Sequence, residues 1–151
     1  MRSKPKILAV SSGGGHWVEL MRITPAFAGA DTAYATVSGV YRDDVAGQRF
    51  YAVGDCTRWE KLKTIRTALR VLWVLLRERP DVVVSTGALP GYLAVRLGKW
   101  FGARTVWLDS IANAQELSMA GQKVGPYADL WLTQWPELAV PGGPKYAGSV
   151  L

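Results

Sequence analysis

His16 is the only histidine in the chain, and it follows three consecutive glycines in Ala9-Val10-Ser11-Ser12-Gly13-Gly14-Gly15-His16. A glycine run lets the backbone take dihedrals closed to other residues and brings a ligand close to the main chain. Unpaired N–H groups at the start of a helix then suit an anion, most often a phosphate. An imidazole at the mouth of such a turn can donate to a phosphate oxygen or take a proton from a hydroxyl. A second turn of the same kind, Thr86-Gly87-Ala88-Leu89-Pro90-Gly91, follows Ser85. The acidic candidates for work beside His16 are Glu19, one helical turn on, and Asp109. Glycines also shape strand–helix turns that bind nothing, so the first turn alone leaves both readings open.

Neither turn completes a nucleotide motif. Gly13 and Gly15 give G-x-G, but Val18 occupies the place of the third glycine of a dinucleotide fingerprint, and no acidic residue closes Thr32–Val37 to hold a ribose. No Gly-Lys-Ser/Thr follows, so the P-loop pattern fails as well. With one histidine and one cysteine, Cys56, the chain has neither a metal-site pattern nor an internal disulfide. No metal and no cofactor is expected.

The elements that must position these residues alternate between strand and helix. Lys6–Val10 suits a buried parallel strand, and Trp17–Ile23 reads as helix, with Leu20 and Ile23 at helical spacing and Pro25 ending the run. Thr32–Val37 and Arg49–Val53 read as strands, with a polar loop at Tyr41-Arg42-Asp43-Asp44. From Trp59 to Arg79 the period is helical, with Leu62, Ile65, Leu69, Leu72 and Leu76 on one face as the expected core stripe and Pro80 as the limit. Asp81–Ser85 is the clearest buried strand, and a helix over about Tyr92–Phe101 follows the second glycine turn. Arg104–Leu108 is the next strand, then a polar stretch with Asp109, a short helix near Glu116–Lys123 and a strand at Asp129–Thr133. Pro141-Gly142-Gly143-Pro144 is a break, so residues 139–151 are expected to form a flexible C-terminal segment, in which Lys145–Leu151 is either one more short strand or a tail.

This alternation predicts a single α/β domain over residues 1–151, a Rossmann-like parallel sheet with helices on both faces. In such sheets ligands sit beyond the carboxyl ends of the strands, and both glycine turns and Asp109 fall at that edge.

At 151 residues, 49% apolar and 20% charged, the chain can bury a full core and is too apolar to be disordered. Arg2, Lys4 and Lys6 precede an apolar run too short for a signal peptide, and no stretch has the length of a membrane span. A cytoplasmic location is expected. The net charge of +6 is unevenly placed: Arg58, Lys61, Lys63, Arg66, Arg70, Arg77 and Arg79 stand against only Glu60 and Glu78 in one segment. Its helix also carries Val71, Trp73, Val74 and Leu75 beyond the core stripe. Arg66, Arg70 and Arg77 beside Trp73 suit an anionic membrane surface. A buried crossover helix with snorkelling arginines fits the same residues, and nucleic acid is the weaker reading because no recognised motif accompanies it.

Ser12-Gly13-Gly14-Gly15-His16, Ser85-Thr86-Gly87 and Gln134-Trp135-Pro136-Glu137-Leu138, in this order and spacing, carry a resemblance. Val106–Ala112, Leu117–Lys123 and Tyr127-Ala128-Asp129 extend it to nearly the whole chain. The chain resembles the membrane-associated subunit of the two-part N-acetylglucosaminyltransferase that extends dolichol-linked sugars in eukaryotes, and its bacterial relatives in exopolysaccharide synthesis. Both are similar to the N-terminal half of the peptidoglycan enzyme that adds N-acetylglucosamine to lipid I. The resemblance implies a fold equivalent to the N-terminal half of a GT-B glycosyltransferase. It implies that Ser12, Gly13, Gly14, Gly15, Ser85, Thr86 and Gly87 cradle the diphosphate of a lipid-linked acceptor. His16, Glu19 and Asp109 are the implied catalytic candidates. His16 either activates the acceptor hydroxyl or donates to a phosphate oxygen without moving a proton. Glu19 orients the histidine or contacts a sugar, or is a solvated surface carboxylate, and Asp109 falls where relatives often carry an acidic residue.

A two-domain enzyme of this kind needs a second α/β domain for the nucleotide-sugar, and Leu151 stands about where that domain would begin. The resemblance therefore implies a hetero-oligomer. A donor-binding partner would hold a UDP-sugar, N-acetylglucosamine or another UDP-linked hexose, and Leu138, Val140 and residues 146–151 would lie at the contact. The implied acceptor is a polyprenyl-diphosphate-linked sugar of polysaccharide or exopolysaccharide biosynthesis; no nucleic acid is expected. The eukaryotic relatives carry a transmembrane anchor. Here membrane contact would fall to Arg66, Arg70, Trp73 and Arg77, with Trp100 and Phe101, giving a peripheral protein on the cytoplasmic face of the membrane. A non-catalytic scaffold for a complete partner and a stand-alone nucleotide-binding enzyme remain as the other readings.

Overall fold

The computed structural model describes residues 3–57 and 59–150. Arg2 and Arg58 of the basic segments and Leu151 of the expected contact lie outside the described residues. The strands are β1 (Lys6–Val10), β2 (Asp31–Thr36), β3 (Arg49–Ala52), β4 (Val82–Ser85), β5 (Arg104–Leu108), β6 (Leu130–Thr133) and β7 (Lys145–Tyr146). They form one parallel sheet in the order β3-β2-β1-β4-β5-β6-β7. The helices are α1 (Gly15–Ile23), α2 (Lys61–Glu78), α3 (Ala88–Trp100) and α4 (Met119–Lys123).

Alternation along β1 divides the core in two. Leu8 and Val10 pack on one face with Val71, Val74 and Leu75 of α2, Ala94 and Val95 of α3, and Trp107. Ala9 belongs to the other face with Trp17 and Leu20 of α1, Tyr34, Val45 and Phe50. Helices therefore cover both faces of the sheet, as successive right-handed crossovers require. Val10 stands level with Ser85, and Ser85 with Trp107. The strand ends that lead into the two glycine turns and Asp109 thus share one edge, as the sequence predicts.

The long helix corrects the sequence reading. It begins two residues after Trp59 and ends one before Arg79, which takes a left-handed φ of 47° ahead of Pro80. Its rotation is the reverse of the expected one. Leu62, Ile65, Leu69 and Leu76 are exposed and Leu72 is half-buried, whereas Thr67, Val71, Val74, Leu75 and Glu78 face inward. The reason lies at the helix end. Glu78 accepts from Arg49 Nε at 2.9 and 3.1 Å and from the Tyr51 hydroxyl at 2.5 Å, so its side of the helix must meet the sheet. Val74, Val71 and Thr67 lie on that side by helical spacing. Gly98 of α3 adds to the fit, since a Cβ there would lie 2.7 Å from Val83 Cγ2.

Other boundaries shift for local reasons. Residues 41–44 are part of a 3-10 turn, Gly39–Val45, started by Ser38 Oγ accepting from Val40 N and held by buried Val45. α3 starts at Ala88 rather than near Tyr92, because Pro90 is tolerated in a first helical turn. Ser118 caps α4 by accepting from Gly121 N, which delays its start to Met119. Of residues 139–151, Lys145 and Tyr146 pair with Leu132 and Thr133 as β7. Cys56 is a free, buried thiol.

Candidate functional site

The first glycine turn joins β1 to α1. Gly14 takes a left-handed φ of 64° and stands at the N-cap with no side-chain cap, so the first-turn N–H groups of α1 have no partner within the helix. The second turn joins β4 to α3. There Gly87 has φ 136° and Ala88 φ 67°, a dihedral that costs a non-glycine residue about 1–3 kcal/mol and that clusters at functional sites. Ser85 Oγ accepts from Gly87 N at 3.1 Å and sets that turn from within.

His16 and Thr86 brace the two turns against each other. The Thr86 hydroxyl donates to the His16 carbonyl at 2.6 Å, and the His16 Nδ1 lies 3.0 Å from the Thr86 carbonyl. A carbonyl can only accept, so Nδ1 carries the proton and donates. Neutral imidazole then has its lone pair on Nε2, which has no hydrogen-bond partner among the described residues. Gly87 makes this placement possible, since a Cβ there would stand 2.5 Å from His16 Nδ1. The result is a half-buried imidazole with a free basic nitrogen where two N–H-rich turns meet.

Glu19 and Asp109 are tied to the protein by their own hydrogen bonds. Glu19 is only 4% exposed, not a solvated surface group. Its Oε1 accepts from Ile111 N and Gln134 Nε2, each at 2.8 Å, while Oε2 has no partner. The histidine is oriented by Thr86 rather than by Glu19. Asp109 is buried, and its carboxylate accepts from Ser118 N at 2.9 Å, Ser118 Oγ at 2.6 Å and Trp107 Nε1 at 3.2 Å. It closes the loop after β5 on itself. Gln134 joins the two acids, donating to Glu19 Oε1 and to the Asp109 carbonyl at 3.0 Å. Its Oε1 accepts from Val150 N at 2.9 Å, and Arg22 of α1 donates to the Val150 carbonyl at 2.7 Å.

Tyr41 is the site residue the sequence hides. Its hydroxyl accepts from Gly14 N at 2.9 Å, and its ring fills the space that a Cβ on Gly13 would need. A tyrosine in a polar stretch gives no periodic signal, so only the fold brings it to the turn. The surface residues Arg66, Arg70, Trp73 and Arg77 stand apart on the exposed face of α2, with the Arg77 guanidinium 5.5 Å from the Trp73 ring centre. Among the described residues no helix is long and apolar enough to cross a membrane, and no group of three His, Cys, Asp or Glu is placed to hold a metal ion.

Three other carboxylates, Glu78, Asp31 and Asp129, lie at the opposite, amino edge of the sheet. Burial works against the charge of Glu78, but its bonds from Arg49 and Tyr51 outweigh that and hold its carboxyl below the ordinary value. Hydrogen bonds from Arg49 and from Lys99 lower Asp31 and Asp129 in the same way. At that edge the carboxylates are held by Arg49, Tyr51 and Lys99.

Residues 48–150 match the model of a family described as oligosaccharide biosynthesis protein Alg14 like. The chain belongs to the Alg14-like family. The UDP-N-acetylglucosamine transferase subunit ALG14 of Eremothecium gossypii is 28% identical over 174 aligned positions, covering 91% of this chain and 76% of that protein. The corresponding subunit of Schizosaccharomyces pombe is 32% identical over 99 positions, covering 54% of this chain and 46% of that one. The crystal structure of Acinetobacter baumannii MurG superposes with a TM-score of 0.72 at 14% identity over 93% of this chain, and a UDP-N-acetylglucosamine 2-epimerase from Rickettsia bellii with 0.67 at 13% over 87%. The chain spans 45% and 39% of those two chains. The likeness is one of fold, a Rossmann-like parallel sheet with helices on both faces.

Proposed function

We propose that this Alg14-like chain is the acceptor-binding, membrane-recruiting subunit of a two-chain glycosyltransferase of polysaccharide biosynthesis. A partner chain holds the UDP-sugar, and N-acetylglucosamine is the sugar named for the relatives. This chain holds a polyprenyl-diphosphate-linked sugar, its diphosphate on the turns at Ser12–Gly15 and Ser85–Gly87. The observation that carries the reading is His16, fixed by Thr86 through Nδ1 and free at Nε2. In transfer, the acceptor hydroxyl gives its proton to Nε2 as its oxygen bonds to the anomeric carbon, and the bond to UDP breaks. Residues 146–150 and the loop tied by Asp109, Glu19 and Gln134 would meet the partner. Membrane recruitment rests on the outward stripe of Leu62, Ile65, Leu69, Trp73 and Leu76 with Arg66, Arg70 and Arg77 beside it, apolar side chains ringed by cations.

The test is transfer of radiolabelled sugar from UDP-sugars to lipid-linked acceptor in membranes, with this chain, its candidate donor-domain partner, and both. Activity appears only in the mixture, and His16→Ala lowers it by about 10²–10⁴-fold, the size of a general-base contribution, while partner binding persists. Leu69→Glu with Trp73→Glu releases the chain from anionic vesicles in a sedimentation assay. Full turnover by the partner alone would make this chain a scaffold. Saturable UDP-sugar binding by this chain alone would make it a stand-alone enzyme.

A further inference from the structure

We infer that Tyr41 is a binding residue of the first glycine turn, giving its hydroxyl proton to a phosphate oxygen of the acceptor; this rests on the function proposed above. The Tyr41 hydroxyl stands 2.9 Å from Gly14 N and accepts its hydrogen. Its own proton has no acceptor among the described residues. By contrast the Thr86 hydroxyl at the second turn donates to the His16 carbonyl, so its proton is engaged. Tyr41 thus relays the donor character of Gly14 N–H outward as an O–H. Hydrogen bonds that run in series polarise one another, and an anion at the end strengthens them further.

The placement is built rather than incidental. The Tyr41 ring lies against Trp17 of α1, centres 5.3 Å apart. Trp17 Nε1 in turn donates to Asp44 at 2.8 Å, so the strap that carries Tyr41 is tied to the helix that carries His16. Val45 anchors the far end of the strap in the core. Gly13 completes the fit, because a Cβ there would lie 3.0 Å from Tyr41 Cε2 and Cζ. The first glycine of the run is therefore needed for the tyrosine as well as for any ligand. Trp17, Asp44, Gly13 and Val45 together aim one free hydroxyl at the mouth of the turn.

The experiment uses the full chain and farnesyl diphosphate, a short polyprenyl diphosphate, with farnesol as the uncharged control, in isothermal titration at fixed salt. Tyr41→Phe keeps the ring on Trp17 and Gly13 and removes only the hydroxyl. The expected result is diphosphate binding by the wild type and none of farnesol, with affinity lowered about tenfold in Tyr41→Phe, one hydrogen bond to a charged group. Unfolding temperature is measured in parallel and is expected to stay unchanged, so that loss of binding reports the hydroxyl and not the fold. Equal or tighter binding by a folded Tyr41→Phe would overturn the inference and make the tyrosine a bystander or a plug, while the acceptor reading stands. Failure of the wild type itself to bind would overturn the acceptor reading and this inference with it.

Discussion

Replacing Glu19, itself 4% exposed, with alanine removes a carboxylate oxygen that carries two hydrogen bonds, from the buried Gln134 amide and the part-buried Ile111 N–H, each at 2.8 Å. Each buried donor left without a partner costs about 1–3 kcal/mol. Gln134 keeps its second bond to the Asp109 carbonyl, which holds its cost to the lower end of that range. The sum is about 3 kcal/mol. For a chain of this length that lowers the unfolding temperature by about 6–12 °C. Glu19→Gln behaves differently, because it keeps the accepting oxygen and replaces only Oε2, which has no partner. It is expected to cost about 1–2 kcal/mol, less than alanine, because both bonds to the retained oxygen survive while the new amide N–H group at the Oε2 position finds no acceptor. Thermal and urea unfolding followed by far-ultraviolet circular dichroism measure both variants, with an unchanged urea slope confirming that the comparison is one of stability. Hydrogen exchange at the Ile111 amide locates the loss. An alanine variant that melts within about 2 °C of wild type would refute the reasoning, because a stranded buried amide and a stranded part-buried N–H together cannot be that cheap. A glutamine variant as unstable as alanine would refute it differently, by showing that the charge itself is needed.

Gly87→Ala should lower sugar transfer by at least about tenfold while the sheet stays folded, because its Cβ would collide with the His16 ring and φ 136° is strained for alanine; transfer and circular dichroism on one preparation check it. Acid should unfold the protein through its amino edge. Glu78, Asp31 and Asp129 titrate below their ordinary values when folded, so their stabilisation is present above the unfolded carboxylate range and is lost as pH falls through the folded values. A plot of unfolding temperature against pH checks this, and Glu78→Gln should flatten its acid limb.

The sheet and its working edge are legible in the sequence because they rest on local signals. Val82–Ser85 and Arg104–Leu108 are short β-rich runs, and glycine turns after β1 and β4 mark strand ends whichever way the helices pack. What the sequence does not resolve is rotation. α2 carries two apolar stripes, and periodicity prefers the larger leucine stripe. The inward one is chosen by Glu78, whose partners Arg49 and Tyr51 come from another strand. The same limit applies at the site. His16 and the glycines announce themselves by type, whereas Tyr41 acquires its place only through Trp17 and Asp44. The two turns come together as the spacing suggests, but the buried bond from Gln134 to Glu19 joins residues 115 apart in the chain, and Asp109 is held by Ser118 within its own loop.

The strand order bears on how the protein is made. β2 and β3 extend the sheet from β1 in one direction, and β5, β6 and β7 each dock on the strand completed just before them. Only β4 must return to a distant neighbour, with Lys6 and Asp81 meeting across 75 residues. That pairing closes the longest loop between neighbouring strands and so carries the largest loop-closure entropy. Each later strand pairs with the strand that precedes it in the chain, at a smaller loop cost. Gln134 and Val150 flank β7 in the chain, so the hydrogen bonds that steady Glu19 fasten the first helix to the far end of the sheet.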